Sequence, residues 1–270
     1  MILPNNKYAP DFVPRIENGE FTNKLLFGFE AEMGLWNLDN NYIDNIIYKL
    51  IEQTNNFYYI KYDGSVSCRD VGSGAEINSQ PFNWNFLLNH KNYIKKLCNL
   101  KKINEDESGS TAKQFRVNKS CGFHIHLNRL FFSNKHLIKM AKLFYENSLF
   151  IEKISLRRNS LSFQQYSSLK INETPKEFVN NSVENNINNS YRYKALNLTG
   201  KDTIEIRIFQ GTLNYNTILA YLEFALAVSL FTKNNIYKNI EIDNFLMYIH
   251  ENEKIYSNLI DLKDGELIWY

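Results

Sequence analysis

Cysteine is scarce in this chain: Cys68, Cys98 and Cys121 are the only three among 270 residues. Three thiols cannot all pair, and their spacing fits no zinc-ribbon or zinc-finger arrangement. Neither a disulfide framework nor a Cys-based metal site is expected, and a reducing compartment is favoured. An excess of one charge is also missing, with 31 Lys and Arg against 29 Asp and Glu. No basic block of the kind that holds nucleic acid non-specifically occurs, and no acidic tail. The 17 Tyr and 19 Phe are therefore read as core rather than as base-stacking platforms. The longest apolar run, residues 218–231, is interrupted by Glu223 and is shorter than the roughly 20 residues of a membrane span. The opening MILPNNKYAPDF has no basic region followed by an apolar core, so no signal peptide is expected. A soluble, cytoplasmic protein without nucleic-acid or membrane partners is the expectation; its oligomeric state is left open.

What the chain does contain is a mixture of helical and extended patterns. KLLFGFEAEMGLW alternates as a strand does, and Ile43, Ile46, Ile47, Leu50 and Ile51 have helical spacing. NFYYIKY and GAEINSQ are extended, separated by the turn-rich DGSVSCRDVGSG. Residues 84–97 are amphipathic, and Asn134 is the expected N-cap of a helix reaching Phe150. Residues 174–190 are polar and Asn-rich with little periodicity, so a surface or mobile segment is expected there, one that fits part of a lid. YRYKALNL and DTIEIRIFQG read as strands, and a long helix, apolar nearly all round, begins at Asn216 or Thr217. Strands and helices do not alternate regularly. The expected class is α+β, a curved, mainly antiparallel sheet with helices on its convex face. Residues 1–22 are expected to form an arm and residues 23–270 a single catalytic domain.

Four strands divide their faces alike. In CGFHIHLN, His124 and His126 share a face with Gly122 and Asn128, while Phe123, Ile125 and Leu127 take the other. In FGFEAEMG, Glu30 and Glu32 share a face with Gly28 and Gly34. In TIEIRIF, Glu205 and Arg207 oppose three isoleucines, and in GAEINSQ, Glu76 and Asn78 oppose Ala75 and Ile77. A half-solvated sheet normally has a polar face, so one such strand means little. These faces, however, lack the Thr and Lys of solvated strands, and glycines flank the carboxylates, leaving room for close approach to the backbone. Glu30 and Glu32 repel each other unless a cation lies near them. Oxygen-rich donors with an imidazole suit Mg²⁺ or Mn²⁺. Zinc held by Cys121, His124 and His126 would require Cys121 to leave the apolar face. A cupin-type site lacks a glutamate at the expected spacing after His126.

The ordered set GFEAE, DGS…GAEINS, CGFHIH and TIEIRIFQGTL resembles the amidoligases of the glutamine synthetase and glutamate–cysteine ligase superfamily, over about residues 24–231. The resemblance implies a fold like the glutamine synthetase catalytic domain, binding ATP with Mg²⁺ (or Mn²⁺) on its concave face. It implies metal ligation by Glu30, Glu32, Glu76, His124 and Glu205, with Glu30, Glu205 and Arg207 catalytic. His126 and Arg207 would lie near the phosphates, and Asp63 and Ser65 match the DGS element and contact metal or nucleotide. Arg192 and Asn197 would contact substrate. Asp63 and Asp70 compete for the second acidic ligand that glutamine synthetases carry before Glu76, and the ring-forming or extra domains of full-length relatives have no counterpart.

The activity so implied is an ATP-dependent carboxylate–amine ligation through an acyl phosphate, its partners a small-molecule or peptide carboxylate and an amine. The alternatives are a kinase of the same fold acting on a guanidino or carboxylate group, a non-catalytic nucleotide- or peptide-binding descendant, and a zinc hydrolase. Replacing Glu30 or Glu205 by Ala is expected to abolish turnover and leave the fold intact, because each is read as a mutually repelling carboxylate.

Overall fold

A computed structural model describes residues 12–19, 24–36, 40–63, 72–102, 114–157, 161–184 and 190–262. The α+β class is observed. The chain divides into two compact units, one of Met1–Phe123 with Gly211–Tyr215, the other of His124–Gln210 with Asn216–Tyr270.

Unit 1 is built on β1 (Phe27–Trp36), β2 (Tyr58–Asp63), β3 (Gly72–Ser79) and β4 (Gln114–Arg116). The order β2-β3-β1 is antiparallel throughout, and β4 pairs with the C-terminal end of β1. Alternation puts Phe29, Ala31, Met33, Ile60 and Ile77 on one face, all buried. Phe57, Phe82, Trp84, Phe86 and Tyr93 are buried alongside and join in aromatic contact: Phe29 and Phe82 meet edge to face, as do Phe57 and Phe82. Burying each such side chain stabilises by about 1.5–3 kcal/mol. Helix α1 (Asn40–Gln53) buries Ile46, Ile47 and Leu50.

The amphipathic stretch expected at 84–97 is two helices, α2 (Trp84–Asn89) and α3 (Lys91–Cys98). His90 separates them in a non-helical conformation, its ring stacked 4.2 Å from that of Phe86. Asn83 caps α2 by accepting from the Phe86 N–H at 3.0 Å. The described part of the arm is tied to this cap: Arg15 N–H donates to Pro81 O, and Asn83 N–H donates to Arg15 O.

Unit 2 takes β5 (Gly122–Asn128) from His124 onward, then β7 (Thr203–Gln210) and β6 (Leu196–Asn197), in that order. Its helices are α4 (Asn134–Glu146), α5 (Ser148–Ile154), α6 (Leu161–Tyr166), α7 (Pro175–Glu184), α8 (Tyr215–Asn234, from Asn216), α9 (Ile242–Glu251) and α10 (Ser257–Ile260). The helix expected from 134 to 150 is capped one residue earlier, by Ser133 accepting from His136 N–H, and breaks at Asn147. Asn147 donates its side-chain amide back to Leu143 O at 3.0 Å, a local bond that competes with the helical ladder. Helix α8 is long and apolar enough to cross a membrane, yet 78% of that stretch is buried inside the protein, as befits a core helix. Its one buried acid, Glu223, accepts from Leu259 N–H and the Asn258 amide at the start of α10.

Two expectations are corrected here. YRYKALNL is mostly a 3₁₀ turn (Tyr191–Tyr193), and only Leu196–Asn197 pairs as a strand. The segment 174–184 lies at the surface, as its exposed Thr174, Lys176, Glu177 and Asn180 show, but it is a regular helix rather than an aperiodic piece. Thr174 and Glu177 form a reciprocal capping box, Pro175 opens α7, and Phe178 and Val179 are fully buried. Phe178 meets the Tyr145 ring at 4.8 Å. With Phe178 and Val179 buried and Lys176, Glu177 and Asn180 exposed, α7 is an amphipathic helix packed by one face; residues 185–189 lie outside the described residues.

Candidate active site

In unit 1 the register gathers acids on the face opposite the aromatic core. Tyr59, Asn78 and Glu30 form one cross-strand row, and Lys61, Glu76 and Glu32 the next. Asp63, Gly74, Gly34 and Arg116 form a third. Glu32 and Glu76 are directly opposite, an arrangement that puts Cβ atoms about 4.5–5.5 Å apart and is unfavourable for like charges. Glu32 is buried and its Oε2 accepts from Gly122 N–H at 2.6 Å, while Glu30 and Glu76 are half-buried. Burial, and then the carboxylates of Glu30 and Glu76, push the Tyr59 hydroxyl up to about 12, so it remains a donor beside the acids. In the third row two glycines sit at the centre, leaving bare backbone next to the acidic rows.

Unit 2 holds the second cluster. Asn197 of β6 lies directly opposite Glu205 of β7 and donates its amide to Oε2 at 2.8 Å. Oε1 receives the Arg207 guanidinium, and His124 Nδ1 lies 3.2 Å from the same oxygen. Both His124 and Glu205 are buried. Burial alone would raise the Glu205 carboxyl; the His124 hydrogen bond and the charges of His126, His124 and Arg207 overcome it and hold it at about 2. Glu205 is thus an ionised carboxylate at every physiological pH. Arg207 is held from behind as well, its Nε donating to Tyr166 O at 3.2 Å. Ser167 donates its hydroxyl to Arg207 O at 2.7 Å and accepts from the buried Arg157. Leu156 takes φ 57°, in the left-handed region, just before Arg157 turns inward.

The donor chemistry fits a hard divalent cation. Bonds of roughly 2.0–2.1 Å at right angles place adjacent ligands of Mg²⁺ about 3 Å apart. His124 Nδ1 and Glu205 Oε1 stand 3.2 Å apart, nearly that span, so the two would serve as adjacent ligands of such a cation. Within unit 2, Glu205 is held by cationic and donor groups, so its removal is expected to destabilise the fold, in contrast to the intact fold expected from the sequence.

Of the expected residues, Glu30, Glu32 and Glu76 share one face within unit 1, and His124, His126, Asn197, Glu205 and Arg207 meet within unit 2. Asp63 ends β2 opposite Gly74. Arg192 is exposed on its 3₁₀ turn, apart from the Glu205 cluster's described contacts. Ser65, Cys68 and Asp70 lie outside the described residues. Tyr59, Lys61 and the Tyr166 carbonyl were not anticipated. Tyr59 and Lys61 alternate in YYIKY as the glutamates do in FEAE, a readable signal; a backbone carbonyl leaves none.

A model of the family described as "Putative amidoligase enzyme" matches residues 47–229. That span contains Glu76, His124, His126, Asn197, Glu205 and Arg207, while Glu30 and Glu32 precede it. No curated protein matches the chain significantly.

Proposed function

Because the chain belongs to the amidoligase family, a family of ligase kind, we propose that it is an ATP-dependent carboxylate–amine ligase acting in the cytoplasm. The observation that carries this reading is Glu205, a buried carboxylate with Arg207 and His124 Nδ1 at one oxygen and the Asn197 amide at the other.

A carboxylate is a poor electrophile toward an amine at neutral pH. In the proposed reaction its oxygen attacks the γ-phosphorus of ATP, the bond to the bridging oxygen breaks, and ADP departs with that electron pair. The amine then attacks the acyl carbon, inorganic phosphate leaves, and the nitrogen releases a proton as the amide forms. Glu30, Glu32 and Glu76 in unit 1 and His124 and Glu205 in unit 2 are assigned as ligands of Mg²⁺ or Mn²⁺. When bound, such cations screen the repulsion between carboxylate and triphosphate and stabilise charge on the transferred group. Arg207, oriented by Glu205 and the Tyr166 carbonyl, presents its remaining N–H groups as a planar donor fork suited to phosphoryl oxygens. His126 is assigned beside the phosphates, and Asp63 and Ser65 to metal or nucleotide contact. Arg192 is assigned to a substrate carboxylate.

The test is ADP release from ATP and Mg²⁺ over pooled carboxylates, with and without pooled amines, followed by mass analysis of the responding pool. An amide product supports the ligase. A phosphorylated product formed independently of amine identifies a kinase, and nucleotide binding without turnover identifies a binding descendant. Glu30→Ala is expected to lose metal-dependent turnover; wild-type rates in that variant at saturating substrates would remove Glu30 from the ligand set.

A further inference from the structure

We infer that Asn197 is a positioning residue that makes Glu205 a one-oxygen ligand and thereby selects Mg²⁺ over Ca²⁺; the inference rests on the cation assignment proposed above. The direction of the Asn197 amide is dictated by its neighbours. Its Oδ1 accepts from Thr199 N–H at 3.0 Å and from Thr199 Oγ1 at 2.8 Å. A backbone N–H can only donate, so the amide oxygen must face Thr199 and the NH₂ must face Glu205. The backbone around it is pinned as well: Leu196 N–H donates to the Tyr145 hydroxyl, and Arg207 N–H donates to Ala195 O. Asn197 is therefore a buried, pre-oriented donor with both ends of its amide engaged.

The consequence lies in how Glu205 can ligate. Oε2 is tied to Asn197, while Oε1, which also receives the Arg207 guanidinium, is the oxygen beside His124 Nδ1 and keeps a further acceptor direction for a ligand bond. A cation shared with His124 thus meets one carboxylate oxygen, and the bond to Asn197 opposes the rotation that would bring the second oxygen onto it. Mg²⁺ takes six ligands in near-octahedral geometry and accepts single oxygens. Ca²⁺ takes six to eight at longer distances and gains from bidentate carboxylates. Outer groups that orient a ligand typically contribute 10–100-fold in metal affinity.

The experiment measures divalent-cation binding directly, by displacement of Mn²⁺ followed by electron paramagnetic resonance, with Mg²⁺ and Ca²⁺ as competitors. In Asn197→Ala, Mg²⁺ affinity is expected to fall about 10-fold or more, and Ca²⁺ affinity to fall less, so that the Mg²⁺/Ca²⁺ preference drops at least about 5-fold. Thr199→Val keeps the backbone N–H, loses the hydroxyl donor to Oδ1, and is expected to shift the preference the same way by a smaller factor. It serves if Asn197→Ala does not fold. Equal loss for both cations, or an unchanged preference in a folded variant, overturns the inference and leaves the ligase reading standing. A wild-type protein that binds no divalent cation overturns both.

Discussion

Replacing Glu205 by Gln tests the unit 2 cluster most directly, because the same geometry sets both the size and the pH dependence of the effect. The carboxyl falls from 4.5 to about 2 on folding, and at roughly 1.4 kcal/mol per unit its ionised form contributes on the order of 3 kcal/mol. Since the folded pKa is the lower one, the contribution is complete above about pH 4.5 and is lost as pH falls toward 2. Gln also cannot satisfy every neighbour. If its oxygen faces Arg207 and His124, its NH₂ meets the NH₂ of Asn197, leaving a buried donor without an acceptor at a further cost of about 1–3 kcal/mol. Urea unfolding of the metal-free protein at pH 7 is therefore expected to show Glu205→Gln less stable by at least ~3 kcal/mol. The gap should narrow steadily between pH 4.5 and 3. A variant within 0.5 kcal/mol of wild type at pH 7, or a gap that stays constant with pH, would refute the assignment of Glu205 as the buried anion of a cationic cluster.

The acids of unit 1 respond differently. Glu76→Gln relieves the like charge directly opposite Glu32 but gives up the unlike charge opposite Lys61, so the metal-free protein should change by less than about 0.5 kcal/mol, whereas in thermal melts Mg²⁺ should stabilise the variant less than wild type if these groups are ligands. His136 is buried with Nε2 3.0 Å from Ser229 O, and burial chiefly, with Lys139 and Lys233, lowers its pKa to about 4. Its neutral form is favoured in the fold, so wild-type stability should drop by up to ~3 kcal/mol as pH falls from about 6.5 to 4, and His136→Gln should flatten that part of the urea-midpoint profile. Thr174→Ala removes the cap of α7 and should lower stability by about 1 kcal/mol, read from the same unfolding curves.

Period-two alternation was enough to recover β1, β3, β5 and β7 and to say which residues face the core, because burial of Phe29, Ile77, Phe123 and Ile206 leaves no freedom in the facing. The same alternation put Glu30 with Glu32, His124 with His126, and Glu205 with Arg207. Helix breaks were not legible. His90 and Asn147 interrupt patterns whose apolar spacing runs on past them, and α7 was missed although T-P-K-E spells its capping box, because polar Asn residues mask a short buried face.

Which side chains share a face was thus decided locally, by the handedness and pleat of an extended chain. Which strands are neighbours, and in what register, was decided only on folding, because pairing joins residues as distant in the chain as Glu32 and Glu76 through backbone bonds that carry no side-chain signature. That is why Asn197, eight residues before Glu205, could be placed in the site from the sequence while its bond to that carboxylate could not be foreseen: only the β6–β7 register turns its amide onto the carboxylate.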